Sequence, residues 1–350
     1  MSSVLDLARP DILALKAYSH AAWEPSLQRL HANELPWRIA GDASAAGLNR
    51  YPEPQPPPLV EGLASLYGVA PEQVLVGRGS DEAIDLLMRI FCRAGQDKII
   101  VCPPTYSMYA VAARIQGAEV VDVPLLAEQG FALDVPAILA KLDANTKLVF
   151  VCSPNNPTGN LVPRETLLDL ARQLGTRALL VVDEAYIEFA GVPSVASEIA
   201  SLPNLVVMRT LSKSHGLAGA RCGTLIAQPA IIALARKVIP PYAVSEPTVE
   251  VVAPLLRPEA IAAMQAGVAT VLAERARLAA LLRKVPGVLC IWPSDANFLL
   301  VEFADPDDVQ RRVRNAGLII RDVRQPALPR ALRLSIGTPE QNDIVLRSLA

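Results

Sequence analysis

The stretch Leu205-Val206-Val207-Met208-Arg209-Thr210-Leu211-Ser212-Lys213-Ser214 begins with apolar residues and ends with a lysine between two serines. The apolar run predicts a buried strand of a parallel sheet, because such strands are covered on both faces. A lysine after that strand can be held out of water, which lowers its pKa and frees the amine to bond to an aldehyde cofactor. Thr210, Ser212 and Arg221 supply donors for a phosphate group. A serine–lysine pair alone is more often an ordinary loop, so the rest of the chain must decide.

The chain around this stretch alternates between short apolar runs and amphipathic segments. The apolar runs predict strands at residues 73–77, 98–102, 119–123, 147–152, 178–183, 205–209 and 222–227. The segments between them predict helices at about 59–67, 80–91, 106–116, 135–142 and 164–174. This alternation is typical of an α/β fold, so we expect a large domain whose mostly parallel sheet is sandwiched by helices.

The pattern changes after Pro240. A long helix is predicted at 259–284, followed by short strands at 288–292, 297–303, 318–321 and 332–336 and by helices at 306–316 and 339–349. This succession predicts a smaller α+β domain. We therefore divide the chain into an N-terminal arm at 1–45 that packs with the small domain, a large cofactor-binding domain at 46–245 and a small domain at 246–350.

The composition indicates a globular protein. The chain has 350 residues, of which 51% are hydrophobic and 19% charged, and its net charge is -2. It lacks the basic surface that binds nucleic acid or an anionic membrane. Its 5 cysteines and 3 histidines show no metal-ligand spacing, and unpaired cysteines favour a reducing compartment. Because neither a signal peptide nor a transmembrane segment is evident, we expect a cytoplasmic protein without a metal, a membrane partner or a nucleic-acid partner.

Polar residues stand at the carboxyl ends of several predicted strands. They are Ser80-Asp81-Glu82, Tyr106, Asn155-Asn156, Asp183 and Ser212-Lys213. Ligands of open α/β sheets bind just outside the carboxyl ends of the strands. Unrelated surface positions would not favour one edge of the sheet, so their shared placement predicts one ligand site there.

The residue types at this edge suit a planar, charged ligand. The free amides of the helix that starts near Ser80 would bind an anion. Asp183 follows aliphatic residues, where a carboxylate is costly unless a cation such as a protonated pyridine nitrogen compensates it. Tyr106 could stack on the ring of such a ligand. Taken singly, each residue has a structural alternative, since Asp183 could cap a helix, Tyr106 could pack in the core and Asn156 could be a turn residue.

Several short motifs resemble the fold type I aminotransferases, which use pyridoxal phosphate. They are Ser153-Pro154-Asn155-Asn156-Pro157-Thr158-Gly159, Asp183-Glu184-Ala185-Tyr186, and Ser212-Lys213 with Arg221 beyond it. More narrowly, the segments at 49–52, 79–82, 103–106 and 318–322 are similar to the histidinol-phosphate aminotransferase family. The likeness extends from about residue 33 to residue 338. Ser214-His215 departs from the family's usual pattern, with an effect that the sequence does not reveal.

The resemblance implies a role for each matching residue. Lys213 would carry the cofactor covalently and move a proton at the substrate α-carbon. Asp183 would bind the pyridine nitrogen, and Tyr106 would stack on the ring. Asn156 and Tyr186 would bind the ring hydroxyl oxygen. Further cofactor-binding residues, most of them at the phosphate, would be Ser80, Asp81, Glu82, Thr210, Ser212 and Arg221.

Other residues implied by the resemblance bind substrate or join two subunits. Tyr51 would reach the cofactor phosphate of a partner subunit, which implies a homodimer. Arg333 matches the arginine that binds the acidic group of the substrate. Tyr18, Asn33 and Arg321 complete the expected substrate-binding set.

The implied reaction transfers the amino group of L-histidinol phosphate to 2-oxoglutarate, giving imidazole-acetol phosphate and L-glutamate in histidine biosynthesis. Two arginines suit a phosphate dianion, because each guanidinium can form two charge-assisted hydrogen bonds. An aromatic amino-acid aminotransferase and a threonine-phosphate decarboxylase on the same fold remain alternatives. A transcription regulator with an aminotransferase-like domain would need a basic helix-turn-helix segment, which the residues before Leu59 do not contain.

Overall fold

The protein, described by a computed structural model over residues 3–19 and 27–349, contains two β-sheets. The strands of the larger sheet are β1 (Val74–Gly77), β2 (Lys98–Val101), β3 (Glu119–Asp122), β4 (Thr146–Cys152), β5 (Leu179–Asp183), β6 (Leu205–Thr210) and β7 (Gly223–Ile226). Their order in the sheet is β1-β7-β6-β5-β4-β2-β3. Neighbouring strands are parallel except at β7, which runs antiparallel to both β1 and β6.

The helices are α1 (Pro10–Ala14), α2 (Pro57–Tyr67), α3 (Ser80–Phe91), α4 (Met108–Gln116), α5 (Val135–Ala140), α6 (Arg164–Leu174), α7 (Pro229–Val238), α8 (Glu246–Val252), α9 (Pro258–Leu282), α10 (Pro306–Asn315) and α11 (Pro339–Leu349). The α2 and α6 helices cover one face of the larger sheet, and α3, α4 and α7 cover the other. Strands β5 and β6 are buried along their whole length between these layers. The prediction of a mostly parallel sheet sandwiched by helices is confirmed.

Glycines end two of these helices where the chain must turn sharply. Gly68 follows α2 and Gly117 follows α4, both with positive φ. A residue without a Cβ adopts this left-handed conformation at little cost, and its amide can satisfy the last carbonyls of the helix. Both turns return the chain to the next strand.

The smaller sheet is antiparallel and has the order β10-β11-β9-β8, with β8 (Val288–Ile291), β9 (Phe298–Phe303), β10 (Arg321–Asp322) and β11 (Ala331–Ser335). Helices α9, α10 and α11 pack on it around a separate apolar core. The strand expected at 318–321 is only Arg321–Asp322 in the structure. Leu318 and Ile320 pack against the small-domain core from an irregular segment after Gly317.

The first residues of the N-terminal arm pack against the large domain, whereas the arm was expected to pack with the small one. Val4 and Leu7 pack in the large-domain core beneath α3, and the Arg9 amide donates to the Ile90 carbonyl over 3.0 Å. This part of the arm therefore joins the large domain and not the small one, because its apolar side chains complete the layer of helices there. Val252 of α8 also lies in the large-domain core, beyond the expected boundary at residue 245.

The topology brings the polar clusters to one edge of the larger sheet. Because β7 runs antiparallel to both neighbours, β1 and β6 point in the same direction as β5, β4 and β2. The carboxyl ends of these strands therefore meet at the edge where ligands of α/β sheets bind.

Three further features concern the described residues as a whole. None of their helices is both long enough and apolar enough to cross a membrane. Within 3–19 and 27–349, no cluster of His, Cys, Asp and Glu side chains has the arrangement of a metal site. All of the cysteines are free thiols, and only Cys290 is not fully buried.

Candidate active site

A cavity of about 640 Å³ lies at the carboxyl edge of the larger sheet, between the two domains. This volume is in the range of sites for small molecules, which is roughly 300–1,000 Å³. Most of the residues predicted from the sequence line it, namely Ser80, Asp81, Tyr106, Asn156, Asp183, Tyr186, Thr210, Ser212, Lys213, Arg221, Arg321 and Arg333. The structure therefore brings together residues that are more than 250 positions apart in the chain, from Ser80 to Arg333 (333 − 80 = 253).

Lys213 extends into this cavity from the turn after β6. Its Nζ lies 5.6 Å from the centroid of the Tyr186 ring. Burial lowers the pKa of the Lys213 amine, and the positive charge of Arg333 lowers it further, while Asp183 acts in the opposite direction. The net lowering of the pKa favours the neutral amine, which is the reactive form of a lysine nucleophile.

Asp183 is the last residue of β5 and is buried at the base of the cavity. Burial raises the pKa of its carboxyl group to about 6. Two hydrogen bonds act against this effect, a 2.7 Å bond from the Tyr109 hydroxyl and a 3.1 Å bond from the Ala185 amide. An anion held in this way is poised to accept a cationic group of a ligand.

Tyr109 was not singled out by the sequence, yet it is the direct partner of Asp183. Its ring stacks on Phe150 at 4.8 Å and meets the edge of the Tyr106 ring at 5.6 Å. The Tyr106 hydroxyl donates to Asp81 Oδ1 over 3.0 Å. The only available signal was a tyrosine three residues after Tyr106, which is the spacing of neighbours on a helix face.

The start of α3 and the start of β7 form a narrow backbone cradle. The N-cap residue of α3 is Gly79, which has no side chain to cap the helix, so the first amides stay available. A Cβ at Gly223 would lie 2.7 Å from the Gly79 carbonyl carbon and 2.8 Å from the Ser80 nitrogen. Only a glycine fits this approach, which leaves exposed amides with a helix N-terminus behind them.

Hydroxyl and guanidinium groups complete the cradle. The Ser212 amide donates to Thr210 Oγ1 over 3.2 Å, and the two hydroxyl oxygens are 3.0 Å apart. Arg221 has a left-handed backbone, with φ of 51°, and its Nη2 lies 3.5 Å from Asp81 Oδ2. These donors match what a phosphate group needs.

Arg333 on β11 brings the small domain into the cavity. Its Nη1 donates to Asn156 Oδ1, and the Asn156 amide nitrogen lies 3.4 Å from the Tyr186 hydroxyl. The Arg333 guanidinium also lies 5.3 Å from the Phe298 ring centroid, and its buried Nε has no hydrogen-bond partner in the described part of the chain. Arg321 is its register partner across β10 and β11, so two guanidinium groups line one wall of the cavity.

Four of the predicted site residues lie outside the cavity. Glu82 turns back to its own loop, where it accepts from the Arg78 amide over 2.7 Å and pairs with the Arg78 side chain. Its carboxylate therefore holds the loop before α3 and does not line the cavity, and its contact with the cofactor stays a prediction. Tyr51 stacks on Tyr242 at 4.4 Å. Asn33 and Tyr18 also lie in the arm and do not line the cavity.

His215 follows the reactive lysine but does not line the cavity. Its Nδ1 lies 2.9 Å from Ser214 Oγ, and its Nε2 is buried without a hydrogen-bond partner among the described residues. Burial lowers the pKa of the imidazole, which favours its neutral form. Its place outside the cavity fits a packing role better than that of a second base.

Comparisons with known proteins agree with this arrangement. The family model of aminotransferase class I and II matches residues 24–349. A histidinol-phosphate aminotransferase of Stenotrophomonas maltophilia is 48% identical over 356 aligned positions, which cover 100% of this chain and 97% of the relative.

Solved structures give the same result at lower identity. A histidinol-phosphate aminotransferase of Clostridium acetobutylicum superposes with a TM-score of 0.78 at 22% identity, over 86% of this chain and 90% of that one, and shows a common fold. The histidinol-phosphate aminotransferase of Sinorhizobium meliloti, solved in complex with pyridoxal-5'-phosphate, has a TM-score of 0.76 at 25% identity, over 87% of this chain and 84% of that one. The chain belongs to the aminotransferase class I and II family.

Proposed function

We propose that this protein is a pyridoxal-phosphate-dependent aminotransferase that converts L-histidinol phosphate and 2-oxoglutarate into imidazole-acetol phosphate and L-glutamate, a step of histidine biosynthesis. The observation that carries the proposal is the cavity itself, in which Lys213 faces Asp183 and the guanidinium groups of Arg321 and Arg333. The name shared by the relatives at 48% identity supports the same substrate.

The residues of the cavity fit pyridoxal phosphate. The glycine cradle beside Ser80 would hold its phosphate, together with Thr210, Ser212 and Arg221. Asp183 supplies the single buried carboxylate that a protonated pyridine nitrogen requires. Asn156 and Tyr186, whose side chains already lie 3.4 Å apart, would bind the ring hydroxyl oxygen. Tyr106 would stack on the ring.

The chemistry divides between the cofactor and the chain. When bound, pyridoxal phosphate supplies an electron sink for the negative charge that develops at the substrate α-carbon. The Lys213 amine, with its lowered pKa, holds the cofactor and then moves the proton at that carbon. Asp183 would keep the proton on the ring nitrogen, and its burial would exclude water from that ion pair.

The arginine pair binds the acidic groups of both substrates. A phosphate dianion can accept hydrogen bonds from Arg321 and Arg333 together, whereas the side-chain carboxylate of glutamate can use the more buried Arg333. The buried Nε of Arg333 has no partner among residues 3–19 and 27–349, which leaves this donor available to a substrate oxygen. Tyr18 and Asn33 would approach the substrate from the arm.

The arm also supports a homodimer. Several of its large apolar side chains are exposed, namely Leu30 (90%), Leu35 (62%), Trp37 (67%) and Ile39 (78%). An apolar surface of this kind favours burial against another protein surface. A second copy of the chain would cover it and bring Tyr51 to the partner's phosphate site. Mixed and refolded Tyr51→Ala and Lys213→Ala chains should then regain part of the activity, whereas a fully active monomer in sedimentation would contradict the dimer.

Steady-state kinetics with four amino donors tests the proposed substrate. We expect kcat/KM for L-histidinol phosphate to exceed the values for L-histidinol, phenylalanine and tyrosine. Arg321→Ala should lower kcat/KM for the phosphorylated donor and leave L-histidinol nearly unchanged, because only the phosphate needs the second guanidinium. If phenylalanine or tyrosine reacts as well as histidinol phosphate, the substrate assignment is wrong and an aromatic aminotransferase remains.

A further inference from the structure

The turn at residues 294–296 of the small domain contacts the two large-domain segments that carry Asn156 and Tyr186. On one side, the Asp295 amide donates to the Gly159 carbonyl over 2.7 Å, and the Asp295 carboxylate accepts from the Leu161 amide over 3.1 Å. On the other side, the contact is made through Arg275. We call this segment the interdomain turn.

The loop that carries Asn156 is held at both ends. Within the large domain, Asn155 donates to the Pro104 carbonyl and to Thr158 Oγ1, at 2.8 and 2.6 Å. At the far end of the loop, Asp295 forms hydrogen bonds with the Gly159 carbonyl and the Leu161 amide. Asn156 therefore has a position that depends on the small domain as well as on its own sheet.

Gly159 shows how closely the interdomain turn approaches this loop. A Cβ on Gly159 would lie 2.6 Å from Ser294 Oγ and 2.9 Å from Ser294 Cβ. The residue also has φ of 82°, where other side chains are strained. A contact this tight transmits a displacement of the turn to the loop, because packed atoms cannot be compressed.

Arg275 of α9 fastens the same turn to the segment that follows Tyr186. Its Nη1 donates to the Ala296 carbonyl over 2.7 Å and lies 3.5 Å from the Phe189 carbonyl. Tyr186 and Phe189 share an apolar cluster with Ala296 and Phe298. The Tyr186 ring meets the edge of the Phe298 ring at 5.3 Å.

Asn156 is also the point where the large domain meets Arg333. The Asn156 oxygen accepts from the Arg333 guanidinium, which lies over Phe298. We propose that Asp295 is a positioning residue for substrate binding, which aligns Asn156 with Arg333 by fastening the Asn156 loop to the interdomain turn. The proposal rests on the function proposed above, in which Arg333 binds the acidic group of both substrates.

The test replaces Asp295 in the holoenzyme and separates KM from kcat. Asp295→Ala removes the acceptor of the Leu161 amide, and we expect KM for histidinol phosphate and for 2-oxoglutarate to rise together by about tenfold, with kcat changed less than about twofold. Asp295→Asn keeps an oxygen that can accept from the same amide, so its KM values should rise by no more than about threefold. KM values that rise in the order aspartate, asparagine, alanine at position 295 would support the positioning role.

A binding measurement supplies a second readout that does not need turnover. Succinate has two carboxylates but no amino or keto group, so it reports on the arginine site alone. Calorimetry should show its dissociation constant for the holoenzyme raised about tenfold by Asp295→Ala. Asp305→Ala is the matched control, because Asp305 also accepts from a backbone amide, at 2.9 Å from the Asp308 nitrogen, but this hydrogen bond lies within the small domain and does not join it to the large one.

The outcomes distinguish this inference from the proposed function. A wild-type enzyme that transfers no amino group from histidinol phosphate would contradict the proposed function, whatever Asp295 does. Active wild-type enzyme with unchanged KM and succinate affinity in Asp295→Ala would overturn the positioning role, and so would an equal rise in Asp305→Ala. If Asp295→Ala does not fold, Asp295→Leu takes its place, because leucine has about the size of the aspartate side chain but no acceptor for the Leu161 amide. Wild-type KM values in Asp295→Leu would then decide against the proposal.

Discussion

Replacing Tyr109 with phenylalanine removes a single hydroxyl group from the base of the cavity and keeps a ring of the same shape. The hydroxyl donates the 2.7 Å hydrogen bond to Asp183 Oδ2. The stacking on Phe150 at 4.8 Å and the edge contact with Tyr106 involve the ring and should persist. The substitution therefore isolates one hydrogen bond to a buried carboxylate.

The size of the effect follows from the charge of the acceptor. A hydrogen bond to a charged group contributes about 1.5–3 kcal/mol, and one pKa unit corresponds to about 1.4 kcal/mol. The Tyr109 bond stabilises the ionised form of Asp183 and so lowers its pKa, against the burial that raises it to about 6. Without the bond, the pKa of Asp183 should rise by about 1–2 units.

Other charged groups around Asp183 remain in place in this variant. Asp81 and Glu184 raise the pKa of Asp183, and the Ala185 amide lowers it. The buried Cys152 thiol and the Lys213 amine also face this carboxylate. Because none of them is changed, the shift measures the Tyr109 hydroxyl alone.

The assay is the pH dependence of kcat with saturating substrates. In the proposed mechanism activity requires ionised Asp183, so the acid limb of the profile should move to higher pH by about 1–2 units in Tyr109→Phe. Tyr67→Phe is the control, since Tyr67 is another buried tyrosine, with the Arg209 guanidinium 4.5 Å from its ring, and lies outside the cavity. An acid limb that stays at the wild-type pH in Tyr109→Phe would show that the Tyr109 hydroxyl does not control the ionisation of Asp183.

Three other substitutions give distinct results. Asp183→Asn should abolish most turnover. It should also stabilise the cofactor-free protein by up to about 3 kcal/mol above pH 6, because the raised pKa of Asp183 makes its buried charge unfavourable there, and should have no such effect below the ordinary pKa of 3.8. Thermal unfolding at several pH values measures this difference in stability. Gly223→Ala should weaken cofactor binding in an equilibrium titration because its Cβ meets the Gly79 backbone, whereas Gly219→Ala, with no atom within 4 Å, should not. Arg333→Ala should lower kcat/KM for histidinol phosphate by more than about a hundredfold, equivalent to about 3 kcal/mol, and unchanged kinetics would remove its role.

The sheet could be predicted because its strands are continuous apolar runs. Leu205–Thr210 and its neighbours are covered on both faces, and this burial determines both their composition and their bounds. The edge where the polar clusters meet follows from parallel strand direction, although the reversal of β7 does not appear in its own sequence.

The contacts that hold the cavity could not be predicted because they join distant segments. In the sequence, Tyr109 is one more apolar position of a helix. Only the fold shows that Asp183, at the end of β5, lies against it. Glu82 looks like a ligand residue from its motif, and only the turn of the loop shows that its carboxylate is bound to Arg78. The link from Asp295 to Leu161 spans 134 positions and carries no local signal.

Chemical trapping of the cofactor on the chain tests whether Lys213 is the residue that binds it. Holoenzyme treated with borohydride, which converts a reversible link between a lysine and an aldehyde into a stable amine, would be digested and its peptides mapped by mass. If Lys213 holds the cofactor, we expect the mass of the reduced cofactor on the peptide that contains Lys213, and no such mass in Lys213→Ala. A reduced cofactor on another lysine, or on none, would contradict this role of Lys213.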